Sequence, residues 1–229
     1  MASWAKWQGR TGWPLVAAVM LVAGPVLAQS AAPVALVEDV GQGVTQIEAW
    51  DSLAAGTVLR LPRGGVVTLG YFRSCVRELI TGGTVTIGQD RSEVQGGTVA
   101  REVVPCNTGR QQADQARPGG VAVFRSTPQP NAARVDVLLH ATVPLVEMGA
   151  PGPLTIERLD QAAARISLQV PASALRRGWF DFARTGESLT PGATYRFTTA
   201  RGQLVVRVDP NAGPPRSTLS RMVRFGTTE

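Results

Sequence analysis

The stretch GGTVTIGQDRSEVQGGTVARE, residues 82–102, carries Gly-Gly-Thr-Val twice, and it lies between the cysteines Cys75 and Cys106. A repeat array needs about three copies or more to bury a continuous core, and only two short ones occur. A phosphate loop leads glycine-rich backbone into a helix N-terminus and supplies a lysine. Here the glycines run into β-branched residues, and no lysine follows. GQDRSEV lacks the aspartate ladder of a calcium loop. What remains is the tolerance of glycine for positive φ, which admits strands at tight corners. The stretch is β-scaffold.

Period-two alternation extends this pattern along the chain. GVVTLGYF sets Val67, Leu69 and Tyr71 on one face and Thr68 and Gly70 on the other. TVTIG turns Val85 and Ile87 inward. RISLQV aligns Ile166, Leu168 and Val170, TYRFTT aligns Tyr195 and Phe197, and QLVVRV aligns Leu204, Val206 and Val208. Strands of this kind, cut at short intervals by Gly, Pro, Asn or Asp, predict antiparallel sheets with one buried face. ERLDQAAARI reads either as a short helix or as two strands around a turn, and SALRR as one helical turn. The fold class is all-β.

The N-terminus reads as a signal-peptide helix over residues 1–28. Lys6 and Arg10 precede an apolar run from Trp13 to Leu27, and VLA-QS places the cut after Ala28. The run falls short of the ~20 residues a spanning helix needs, so the mature chain is expected to be exported and not membrane-spanning. Two cysteines in an oxidising compartment, with none left over, predict a Cys75–Cys106 disulfide. A metal site would want more ligands, and the only histidine, His140, is far off in sequence.

Loss of Lys6 and Arg10 with the leader takes the formal charge from +6 to +4. The remaining basic residues are all scattered arginines, without the clustered footprint of nucleic-acid binding. Composition turns polar and rich in Gln, Pro and Gly between Asn107 and Arg134, which suits a linker or long surface loop, with VAVFR at 121–125 as a stray strand. The resulting organisation is a first module over 34–106, a linker over 107–133, a second module over 134–208 and a loose tail over 209–229. In that tail Met222, Val223 and Phe225 are available to dock on a core.

AGTVLRLPRGGVVTLGYFRSCVRELITGGTVTIG places Gly56, Val58, Leu61, Gly65, Val67, Leu69, Gly83, Val85 and Ile87 in a strand-and-turn pattern. This pattern resembles the periplasmic FecR-like β-domain of ferric-citrate-type sensor regulators. The resemblance covers residues 40–104 and implies a fold only. Pro62-Arg63-Gly64-Gly65 replaces the family's common Asp-Gly-Ser turn, a cysteine pair is added, and no anti-sigma segment precedes it, so sigma-factor regulation is not carried over. In the second module, SLTPGATYRF sets Leu189, Pro191, Gly192 and Tyr195 at a sheet corner. It resembles the tyrosine corner of immunoglobulin-like and fibronectin-type β-sandwiches, which implies a Tyr195 hydroxyl bonded back to nearby backbone.

Chemistry-bearing residues are few. Asp136 and His140 share a strand face but stand too far apart to pair directly, and no G-x-S-x-G elbow supports a relay. Glu78, Glu93 and Glu102 could supply paired carboxylates for glycoside chemistry, but scattered surface charges account for them better. Trp179, Phe180 and Phe182 form the densest aromatic cluster. Arg176, Arg177, Trp179 and Arg184 are a possible ligand face, weighed against a sandwich core with a snorkelling arginine rim. These features predict a non-enzymatic protein without cofactor or metal, exported to the periplasm or beyond. Its expected role is scaffold or protein-interaction module of the cell envelope, with an envelope protein as partner. The alternative is a binding module for an envelope glycan or anionic lipid, and a hydrolase is third. Clustering of the three arginines and Trp179 on one exposed face would favour ligand binding, and their dispersal would favour scaffold.

Overall fold

A computed structural model describes residues 31–106, 134–161 and 164–225. The signal peptide read over 1–28 and the linker over 107–133, with VAVFR, lie outside the described residues. Contacts group the described residues into one compact unit. The described residues form strands and three short 3-10 turns, with no α-helix among them.

The first sheet contains β1 (Pro33–Val40), β2 (Ser52–Ala54), β3 (Val58–Tyr71), β4 (Val76–Ile87), β5 (Ser92–Gln95) and β6 (Thr98–Val103). Its order is β2-β1-β3-β4-β5, with β6 also on β4, and it curls into a half-barrel. The inward residues are those that alternation selects. Val67, Leu69, Tyr71, Val85 and Ile87 line the barrel core with Ala35, Val37 and Ile80.

The curl has a local cause. β5 and β6 follow one register against β4: Thr84 pairs with Gln95 and Thr81 with Thr98. Continuing that register sets Gly82 opposite Gly97 and Gly83 opposite Gly96. A Cβ on Gly97 would stand 2.1 Å from the Gly82 carbonyl oxygen, and one on Gly83 would stand 2.4 Å from the Gln95 carbonyl oxygen. Beside them β3 carries a bulge, since its register shifts between Leu61 and Val66. A fold line therefore crosses three strands where only glycine leaves room. The two Gly-Gly copies are cross-strand partners, mirrored about the hairpin tip after Ile87. Pro62 to Gly65 does not end a strand; it lies within β3.

Two more sheets follow. The five-stranded one has the order β10-β9-β13-β14-β7, from β7 (Val137–Ala141), β9 (Gly152–Arg158), β10 (Arg165–Val170), β13 (Thr194–Thr199) and β14 (Gly202–Gly213). The four-stranded one has the order β11-β12-β8-β15, from β8 (Leu145–Glu147), β11 (Leu175–Arg176), β12 (Trp179–Asp181) and β15 (Met222–Val223). Only β7 with β14 and β15 with β8 pair in parallel among the described strands. ERLDQAAARI resolves as the end of β9 and the start of β10, and SALRR as a 3-10 turn at Ala172–Ala174 followed by β11.

The four-stranded sheet is buried on both faces. Val146, Phe180 and Val223 are register partners and join the core shared with Leu154, Ile156, Phe197, Val206 and Val208 of the five-stranded sheet. Leu145 and Met222, with Trp179, point the other way and pack on Leu36, Leu219 and the Cys75–Cys106 disulfide. The short strands LVE, WFD and MV accordingly read as near-continuous apolar runs rather than as alternation.

The C-terminal residues complete this joint. β14 runs past 208 to Gly213, and Leu219, Met222, Val223 and Phe225 are all buried, so the expected loose tail is packed as far as Phe225. Leu219 lies against Gly70, where an added Cβ would come within 2.7 Å of its side chain. The Leu219 amide donates to Glu38 Oε1 at 3.3 Å. This cover accounts for the burial of Gly70, which with Thr68 is expected on an open face; Thr68 is buried as well.

Candidate functional site

A group of charged and aromatic side chains lies where the half-barrel joins the four-stranded sheet. The β11–β12 hairpin closes through Arg177 and Gly178, both at positive φ (51° and 82°), the geometry of a tight two-residue turn. Arginine is strained there, and its guanidinium is held by two carboxylates. Its Nη2 lies 3.1 Å from Glu48 and its Nε 2.9 Å from Asp51. Asp51 also accepts from the Glu48 amide at 2.7 Å, which fixes the loop. Trp50, in that loop, has a φ of 75° and carries the Arg176 guanidinium 5.5 Å from its ring centroid. Such stacking contributes about 0.5–1 kcal/mol at an exposed site.

The four residues of the possible ligand face do not share one exposed surface. Trp179 is 2% exposed and lies under the joint against Leu36 and the disulfide. Arg177 is charge-compensated, and Arg176 is stacked on Trp50. Arg184 is exposed on the 3-10 turn Phe182–Thr185, at the far end of β12 from the hairpin turn. Phe180 and Phe182 are buried in the core between the sheets.

A second charged group closes the joint from the C-terminal side. Arg221 pairs with Asp181, and its Nε donates to the Val143 carbonyl at 3.0 Å. The Arg224 guanidinium stands 3.8 Å over the Phe72 ring. Burial pushes it below the usual arginine range, opposed by the nearby charge of Glu147.

The three candidate carboxylates have separate surroundings. Glu78, expected among surface charges, is fully buried at the end of the half-barrel. Both its oxygens accept from the Ser92 amide at 3.1 Å, and Arg101 Nε donates at 2.7 Å. The Ser92 hydroxyl lies 2.7 Å from the Tyr71 hydroxyl. Burial, reinforced by the charge of Glu78, pushes the Tyr71 phenol up to about 12 against the Ser92 hydrogen bond. Glu102 is instead shared with Arg77, which also reaches Glu38 at 2.8 Å. Glu93 lies exposed on β5.

His140 Nδ1 is 3.2 Å from Asp209 on the outer face of the five-stranded sheet, while Asp136 accepts from the Val205 amide. The disulfide is formed as expected, with the two Cα atoms 5.6 Å apart and both cysteines buried. No cluster of potential metal ligands occurs among the described residues. No helix there is long and apolar enough to cross a membrane. An open cleft lies at the fold line between the paired glycines, flanked by Arg63, Thr81 and Thr98. Its glycines are accounted for by strand crossing. Comparison with protein families, curated proteins and solved structures finds no match.

Proposed function

We propose that this chain is an exported, non-enzymatic scaffold or protein-interaction module of the cell envelope. One observation carries the reading. Of the four residues best suited to hold a small ligand, Trp179 is buried under the joint and Arg184 lies at the other end of β12 from Arg176 and Arg177, which Trp50, Glu48 and Asp51 already engage. That dispersal supports a rigid presenting surface over a glycan or lipid site. The buried cystine supports export to an oxidising compartment.

In this reading residues 34–106 are a FecR-like β-domain and the sheets beyond residue 134 an immunoglobulin-like sandwich. Support for the second comes from strand order: β14-β13-β9-β10 and β8-β12-β11 follow the G-F-C-C′ and B-E-D orders of that architecture. At the corner before β13, the Thr190 amide donates to the Tyr195 hydroxyl at 3.0 Å. In-cell crosslinking of the exported chain tests the proposal. A specific adduct with an envelope protein is the expected result. Retention by purified envelope glycan or by anionic vesicles, with no protein adduct, would overturn it in favour of the ligand-binding alternative.

A further inference from the structure

Sheet edges differ sharply in how they are guarded. β2 is only three residues long, β6 carries Arg101 and Glu102, and β7 lies alongside the 3-10 turn Leu219–Arg221. Short edges, charges and covering segments are the usual protections against strand addition. Among the described residues β10, RISLQV, has none of these beyond Arg165 at its start. It pairs with β9 over six consecutive residues without a bulge and has no second neighbour among the described strands.

The backbone groups it offers can be assigned. The Arg158 amide donates to the Ala164 carbonyl at 2.9 Å. Alternation along an antiparallel pair then turns Ile166, Leu168 and Val170 toward β9. The N–H and C=O groups of Arg165, Ser167 and Gln169 face the open edge. On the inner face Ile166 and Leu168 are only half-buried, while Ser167 and Gln169 are exposed on the outer face.

We propose that β10 receives β10 of a second copy of this chain, antiparallel about a twofold axis at Leu168. In that register Leu168 meets Leu168 and Ile166 meets Val170 on the inner face. Ser167 of one copy exchanges backbone hydrogen bonds with Gln169 of the other. Apolar residues oppose apolar ones and polar oppose polar. The strand's one charge, Arg165, falls at opposite ends of the pair, across from Pro171, where the ladder of backbone hydrogen bonds ends. A self-pairing β6 centred on Arg101 or Glu102 would instead set like charges together. The two five-stranded sheets become one continuous sheet, and the half-buried Ile166 and Leu168 are covered. The inference is independent of the envelope reading.

Sedimentation equilibrium on the purified mature chain tests it. The expected result is a reversible monomer–dimer equilibrium. Two surface variants fix the edge and the register. Ser167→Lys with Gln169→Lys places like charges opposite each other, and Ser167→Lys with Gln169→Glu places opposite charges there. With two cross-strand pairs changed, the Lys/Glu variant should dimerise on the order of tenfold more tightly than the Lys/Lys variant. Both should unfold at similar temperatures as monomers, since neither side chain packs in the core. A wild-type chain that stays monomeric at millimolar concentration overturns the proposal. So does a Lys/Lys variant that dimerises as tightly as the Lys/Glu one.

Discussion

Gly97 faces Gly82 across the β4–β6 register, with the site of a Gly97 Cβ 2.1 Å from the Gly82 carbonyl oxygen. Gly96, one residue earlier, has open space around it but a φ of 68°. The two positions need glycine for different physical reasons, and this separates them by experiment. Gly97→Ala must push two backbones apart and should cost about 3 kcal/mol or more, at the upper end of overpacking. Gly96→Ala meets no atom and should cost about 1–2 kcal/mol, the penalty of a left-handed conformation. Urea denaturation of both variants measures the difference. Equal costs would mean that the fold line is not set by close approach.

Tyr71 predicts a loss of stability at alkaline pH. Its folded-state pKa is raised from 10.0 to about 12. Folding therefore favours the neutral phenol. That contribution is whole below pH 10 and disappears as pH rises through 12. Two pKa units correspond to about 2–3 kcal/mol. Denaturation midpoints of the wild type should fall between pH 10 and 12, and Tyr71→Phe should lack that slope. At neutral pH the same variant should lose about 1 kcal/mol, the net worth of the Ser92 hydrogen bond. Parallel pH profiles for the two chains would show that Tyr71 ionises freely.

Much of the fold was legible in the sequence where a strand buries one face. Alternation picks out Val67, Leu69, Tyr71, Val85, Ile87, Val170, Tyr195, Phe197, Val206 and Val208, which are buried, and Ile166, Leu168 and Leu204, which are half-buried toward the sheet edge or end. It fails where a strand is covered twice. Trp179-Phe180 sends one ring to each side of the four-stranded sheet, a division that three residues cannot announce. Glu78 looked like any surface carboxylate because its burial depends on Ser92 and Arg101, brought to it only by the hairpin. The fourteen-residue glycine spacing did hold the pairing signal. Gly82 and Gly97 are equidistant from the hairpin tip, a symmetry that a search for tandem repeats does not test.

Tyr195 anchors the corner before β13. Its hydroxyl accepts from the Thr190 amide, and its ring is buried beside Leu189 and Phe197. Tyr195→Phe should cost about 1 kcal/mol. Tyr195→Ala should cost about 3–5 kcal/mol through the added cavity. Both need the whole mature chain, because the outer face of the four-stranded sheet is covered by the half-barrel. An alanine variant as stable as an exposed-site mutant would remove Tyr195 from the core and take the corner with it.

The joint itself predicts how the chain unfolds. The cystine that closes β4 and β6 also packs on Leu145, Trp179 and Met222, so its loss acts on both sides of the boundary. In the chain-entropy model, closing a loop with a sequence separation of 31 contributes about 3–4 kcal/mol. Cys75→Ser with Cys106→Ser should remove roughly that amount, and no reactive thiol should be found in the folded wild type. Trp179→Ala leaves both cysteines in place but empties the centre of the joint, at a cost of about 3–5 kcal/mol. If the buried cluster couples the layers, the wild type should unfold in one calorimetric transition. Trp179→Ala should split that transition or broaden it. Two separate transitions in the wild type, with Trp179→Ala shifting only one, would mean that the half-barrel and the sheets beyond it fold independently and that Trp179 belongs to a single layer.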